Sequence, residues 1–203
     1  MSEHSDSSSV EARIRRILAR RPPGRLGDLD PRRPRAGELV PAAVALLLER
    51  TPGYRVVLTK RTERVEHHKG EISLAGGMQD PGDVDLVATA LREVHEEIAI
   101  DPEHMTVLGR LDDLVTVTGF IVTPVVAAID SGVPMRPHDA EVERILRVPL
   151  SLLRDPESWF EDIRTWRGET YRLRSCRYAD DVIWGATSRI LQHFLDVIPP
   201  DVL

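Results

Sequence analysis

The segment from Asp85 to Ile98 constrains this chain more than any other. Val87, Leu91, Val94 and Ile98 recur at offsets of four, three and four, the apolar stripe of an amphipathic helix that buries one face. Glu93, Glu96 and Glu97 stand together on another flank, because residues three and four apart on a helix are neighbours at about 5–6 Å between Cβ atoms. Like charges at these spacings oppose the helix, and Arg92, four residues before Glu96, offsets only part of that repulsion. Any two such glutamates read most simply as a solvated face. Three crowded onto one turn instead suit a hard divalent cation, Mg²⁺ or Mn²⁺, which favours carboxylate oxygen and retains waters that can react.

Just upstream lies Gly76-Gly77, within a glycine-rich stretch from Gly70 to Gly82 that the spacing predicts to be a loop. A glycine pair before a helix is more often a plain turn. Beside the glutamates it becomes a loop able to bring backbone groups close to a phosphate or a metal.

These residues resemble the signature of the Nudix hydrolases: Gly77, an acid at Asp83, and Arg92-Glu-Val-His-Glu-Glu-Ile-Ala-Ile100, a match over 24 residues. Asp83 stands where the family has glutamate, one extra residue precedes Arg92, and Ala99 replaces a glycine, which predicts a modified helix exit. The resemblance implies an α+β fold, a Nudix-type α/β/α sandwich with a mixed β-sheet. It also implies metal-dependent hydrolysis of a phosphoanhydride in a nucleoside diphosphate derivative. Glu93, Glu96 and Glu97, with Gly77, are the implied metal site, and Arg92 orients the glutamates by ion pairing.

The two box departures at Asp83 and before Arg92 are familiar in a subgroup resembling coenzyme A pyrophosphatases. Further likenesses to that subgroup extend from about Val40 to Leu195: Val57 to Arg61, His68, Gly70, Glu141-Val142 and Ile183-Trp-Gly185. Glu66 replaces a signature arginine and Leu74-Ala75 replaces Phe-Pro. The expected substrate is coenzyme A or an acyl derivative, with ADP-ribose or a dinucleotide as the alternative. A nucleotide-binding module without turnover is the rival of another class; it would be expected to lack box glutamates. Lys60, Arg61, Arg64, His68 and Lys69, with Gly76 and Gly77, form the expected substrate-binding set, since charge-assisted donors suit phosphate. A charged surface loop is about as good a reading for any one of them. Glu141 is expected in a loop-to-helix segment, brought towards the metals. Trp184-Gly185 reads as packing, and Cys176 as an inert thiol.

The rest of the sequence bounds the molecule. Residues 1–35 read as a polar tail to Ser9, a short basic helix over Val10 to Leu18 expected to dock on the same protein, and a Pro/Arg-rich linker. Residues 36–203 read as one catalytic domain. The net charge of -6 argues against nucleic acid as partner. A single cysteine excludes an intrachain disulfide and suits a reducing cytoplasm, and no apolar run is long enough to span a bilayer. The expected partner is a small nucleotide, with a homodimer left open.

Overall fold

The computed structural model describes residues 2–22, 24–26, 39–63, 70–166 and 168–203. The chain begins with α1 (Ser2–Ala19), β1 (Arg25–Leu26), β2 (Val40–Arg50), β3 (Arg55–Arg61), β4 (Ile72–Ser73) and β5 (Ala75–Met78). Next come α2 (Leu86–Ile98), β6 (Thr106–Arg110), β7 (Asp113–Val115), β8 (Phe120–Asp130) and β9 (Val142–Pro149). The last elements are α3 (Leu150–Arg154), β10 (Trp159–Trp166), β11 (Glu169–Tyr178), β12 (Asp181–Ile183) and α4 (Gly185–Val197).

The centre is a long parallel pair, β2 and β8, in register from Val40 opposite Phe120 to Arg50 opposite Asp130. Both strands are covered on both faces, which is why they read as continuous apolar runs. Strand alternation sorts their side chains into two layers. Leu46 and Leu48, with Val56, Leu58 and Val126, pack with Ile14 and Leu18 of α1 and with Ile190, Leu191 and Phe194 of α4. Ala43, Ala45 and Leu47, with Val57, Val125 and Ala127, pack on Ala90, Val94 and Ile98 of α2. The sheet is mixed: β3 and β5 run antiparallel to β2, β9 antiparallel to β3, and β6 and β7 antiparallel to β8. The expected α/β/α sandwich is thus present. No described helix is long and apolar enough to cross a membrane.

Helix α1 packs against β6 and the sheet face shared with α4. Glu11, only 5% exposed, accepts from Arg50 Nε at 2.6 Å and Nη2 at 3.0 Å, and Arg50 also reaches Asp130 at 2.8 Å. Gly109 lies beneath Leu18, where an added Cβ would come within 2.8 Å of the leucine Cβ. The helix extends back to Ser2, beyond the apolar stripe that anchors it and over residues expected as a polar tail. Once a helix is nucleated by packing, each further residue adds a hydrogen bond at little cost.

Elsewhere the structure corrects the sequence reading. The glycine pair is part of strand β5, with Gly76 opposite Val44 and Gly77 opposite Ala43 of β2. Glu141 precedes a strand, β9, not a helix. Strands β10 and β11 pair antiparallel as a separate small sheet, with β12 as its third strand on β11.

Candidate active site

Helix α2 is held at both ends. Asp85 caps its start by accepting from the Ala88 N–H at 2.8 Å. On the flank that faces β5, Arg92 ties the helix to the glycine segment. Its Nη2 donates to the Met78 carbonyl at 3.0 Å and to Asp83 at 3.1 Å, and its Nε to Asp83 at 3.1 Å. Its Nη1 donates at 2.9 Å to both Glu93 and Glu96. Arg92 therefore orients two of the three glutamates while fixing the strand that precedes them. Asp83 also accepts from the Asp80 N–H and the Thr89 hydroxyl, each at 2.9 Å. Chiefly through the Arg92 hydrogen bond, its carboxyl is lowered to about 2, so it stays ionised as a structural counter-ion.

The glutamates occupy different depths. Glu96 is exposed, Glu93 mostly buried, and Glu97 is 4% exposed within the sandwich. Glu97 accepts from the Gly76 N–H at 3.2 Å and from the Thr59 hydroxyl at 3.2 Å. Burial pushes its carboxyl up to about 7, opposed by the Gly76 N–H and the Arg61 charge. Burial also raises Glu93, against the pull of Arg92. The three sets of carboxylate oxygens are not gathered within 4.8 Å; among the described residues that distance groups Asp101, Glu103 and His104.

The Glu97 shift fixes the sign of a pH dependence. Its folded value of about 7 exceeds the ordinary 4.5, so between these values the native state holds a proton that the unfolded chain has released. Stability without metal should therefore fall as pH rises through that window, by up to about 3 kcal/mol from this group. Thermal unfolding in chelator from pH 4.5 to pH 7 measures it. Glu97→Gln should remove most of the slope and excess Mg²⁺ should flatten it; an unchanged slope in the variant would assign it to other groups.

The donor set fits a divalent ion. Among the described residues, Glu97 is a buried carboxylate with two neutral donors and no bonded guanidinium, an arrangement a cation relieves. A Cβ on Gly77 would lie 2.5 Å from Glu93 Oε1, so the bare backbone of Gly77 lies directly beside that carboxylate and can add its carbonyl to the oxygen ligands.

Strand alternation distributes the expected substrate residues. Thr59 and Arg61 of β3 face α2: Arg61 contributes charge at Glu97 and lies 4.0 Å from Glu141, while Glu141 in turn raises Glu93. These groups come together. Lys60 points to the opposite face and pairs with Asp181 at 3.4 Å and Glu143 at 3.7 Å, away from the glutamates. Arg64, His68 and Lys69 lie outside the described residues, as does Glu66. Thr59 was not singled out by sequence; its signal was its place two residues before Arg61 on an alternating strand.

A model of the NUDIX domain matches residues 39–167, well over half of the chain. The chain belongs to the Nudix family. An uncharacterised Nudix hydrolase, NudL, of Photorhabdus laumondii is 35% identical over 150 residues, covering 74% of this chain and 80% of the relative. NudL of Salmonella paratyphi B is likewise 35% identical, over 151 residues, 74% of this chain and 79% of its own. A solved Deinococcus radiodurans protein shares the fold at TM-score 0.53 and 13% identity, covering 84% of this chain and 90% of the other. A Nudix hydrolase from Alicyclobacillus acidocaldarius does so at TM-score 0.50 and 16% identity, covering 81% and 94%. As a Nudix hydrolase, the protein is a pyrophosphohydrolase of nucleotide derivatives, a class generally dependent on divalent metal.

The Nudix box departure at Ala99 does not alter the helix exit, contrary to expectation. Ala99 adopts the left-handed conformation, φ 57° and ψ 37°, and its N–H bonds the His95 carbonyl as a glycine would. A Cβ there costs about 1–2 kcal/mol, and the extra freedom of glycine in the unfolded chain returns part of it. Ala99→Gly should therefore raise stability by about 0.5–1 kcal/mol with turnover unchanged. Denaturant midpoints would show it, and a loss of stability would mean the alanine methyl is packed favourably.

Proposed function

We propose that the substrate is coenzyme A or a short acyl derivative, cleaved to 3′,5′-ADP and 4′-phosphopantetheine or its acyl form. Glu93, Glu96 and Glu97, with the Gly77 carbonyl, hold the divalent ion, and Arg92 orients Glu93 and Glu96. When bound, the ion lowers the pKa of water and offsets charge on the phosphate oxygens. Glu141 approaches from the start of β9 as a further carboxylate at the same site. Arg61 positions the anionic substrate against the glutamates.

The observation that carries the reading is Arg61. It belongs to the coenzyme A-type signature, it faces Glu97, and its Nε is buried with no hydrogen-bond acceptor among the described residues. A buried donor of this kind suits a phosphate, which accepts charge-assisted bonds. The replacement of Phe-Pro by Leu74-Ala75 weighs little against the reading, since both residues are 3% exposed and belong to the apolar layers.

A substrate panel with Mg²⁺ or Mn²⁺, resolved by product mass, tests it. Coenzyme A and acetyl-coenzyme A should be cleaved with higher kcat/KM than ADP-ribose or dinucleotides. Brisk cleavage of ADP-ribose with coenzyme A untouched would overturn the substrate and leave the reaction class standing.

A further inference from the structure

Trp184 reads as a packing residue in the sequence, yet among the described residues it joins neither apolar layer. Trp159 shows the contrast: it packs on the layer that holds α4, and its indole N–H donates to the Leu153 carbonyl at 2.8 Å. The Trp184 ring is half-buried, and the Arg164 guanidinium lies over it at 4.2 Å from the centroid, well within cation–π range. We propose that Arg164 and Trp184 together form the shelf on which the nucleobase of the substrate stacks. The inference rests on the substrate being a nucleoside diphosphate derivative, and not on coenzyme A in particular.

Both partners are anchored by buried residues of the small sheet. Asp162 and Arg164 are two apart on β10 and so share a face. Arg164 Nε donates to Asp162 at 2.8 Å, and the fully buried Ser175 donates its hydroxyl to the same carboxylate oxygen at 3.3 Å. The guanidinium is thereby held in place while its side chain stays 39% exposed. Trp184 follows Ile183, which is fully buried opposite Cys176. Gly185, at φ 66°, then turns the chain into α4.

The shelf stands beside the candidate active site. Strand β12 lies against β4, and Ile183 shares an apolar layer with Ile72. The next residue of β4, Ser73, points to the opposite face, where its hydroxyl is 3.2 Å from that of Thr59, the residue that bonds Glu97. At the other end of β12, Asp181 pairs with Lys60, the neighbour of Arg61. A nucleotide whose phosphates meet Glu97 and Arg61 thus has the small sheet at its side. The chemistry of the pair selects a base over other occupants. Arg164 repels a second cation, and an aliphatic chain makes no use of a guanidinium. Every base has a π face, and indole rings and guanidinium planes both stack on one.

The test uses the full chain in Mg²⁺ and compares, by calorimetry, α,β-methylene-ADP with methylenediphosphonate, which has the same bridge and no nucleoside. The nucleotide should bind about five- to a hundredfold more tightly. Trp184→Leu and Arg164→Ala should each lose most of that advantage and leave the affinity for methylenediphosphonate unchanged. Trp184→Phe should keep most of it, whereas Arg164→Lys, which retains the charge without the plane, should not. Thermal unfolding in the same buffer shows which variants are folded, and the partly exposed Arg164 decides the matter if Trp184→Leu fails to fold. Equal affinity of the wild type for the two ligands would overturn the shelf, and so would a nucleotide advantage that Trp184→Leu and Arg164→Ala retain. Binding of neither ligand would instead contradict the nucleoside diphosphate reading itself, and the shelf with it.

Discussion

Glu97→Gln is expected to lower turnover by about 10²–10⁴-fold, the range attached to removing one essential ionisable group, while the fold persists. The amide keeps the shape of the side chain, and its oxygen can still accept from the Gly76 N–H and the Thr59 hydroxyl that hold Glu97. What it loses is the negative charge in a buried position, the property that makes this residue useful to a cation. The same burial makes the charge costly in the absence of metal, as the rise of its carboxyl to about 7 indicates. The variant should therefore be at least as stable as wild type in chelator above pH 7, so that activity and stability move in opposite directions. Glu96→Gln should also lose activity, but with little change in stability, because Glu96 is largely exposed and, among the described residues, held by Arg92 alone. Turnover at limiting Mg²⁺ read beside thermal unfolding checks both. Near-wild-type turnover in both variants would remove the glutamates from the site.

Adjacent glycines should fail in different ways. A Cβ on Gly76 would lie 2.3 Å from the Ala43 carbonyl oxygen and 2.6 Å from Val44 Cα, backbone atoms of the central strand that cannot step aside. Gly76→Ala should therefore cost about 3 kcal/mol or more, the upper range for overpacking, and should disturb the N–H that holds Glu97. A Cβ on Gly77 instead meets the carboxylate of Glu93, at 2.5 Å from Oε1, the far end of a side chain that can rotate. Gly77→Ala should leave stability within about 1 kcal/mol and reduce turnover sharply by displacing Glu93 from the Gly77 backbone. Denaturant unfolding and kcat measured on both variants separate the cases. Equal destabilisation by the two would mean that Glu93 is too tightly held by Arg92 to yield.

The contrast shows where sequence was informative. Helix α2 was legible to within a residue, since its apolar stripe is a local signal. The central strands β2, β3 and β8 carry a local signal too, since each is a largely apolar run with most of its positions buried. Strand β5 was not legible: glycines carry no β signal, and Gly76 is in the sheet because it alone tolerates the approach of Ala43, a contact between segments far apart in sequence. Strand β9 was hidden for a similar reason. Its buried positions are separated by adjacent charged residues without strict alternation, and Glu141 was read as leading into a helix. Lys60 and Arg61 were expected on one surface from adjacency alone, yet a strand sends neighbours to opposite faces. Arg61 joins Glu97, and Lys60 joins Asp181. The depth of the three glutamates was also beyond sequence, because spacing on a helix gives azimuth but not the thickness of what covers it.

Helix α2 is the proposed seat of the metal-dependent phosphoanhydride cleavage. The most direct measurement is turnover of a nucleoside diphosphate derivative by chelator-stripped protein during stepwise return of Mg²⁺, with wild type and Glu97→Gln in parallel. The wild type should be inactive when stripped and recover fully with Mg²⁺, yielding two phosphate monoesters by mass, while Glu97→Gln remains near background at the Mg²⁺ level that saturates wild type. Undiminished cleavage by the stripped wild type, or full recovery of the variant along the same Mg²⁺ curve, would contradict it.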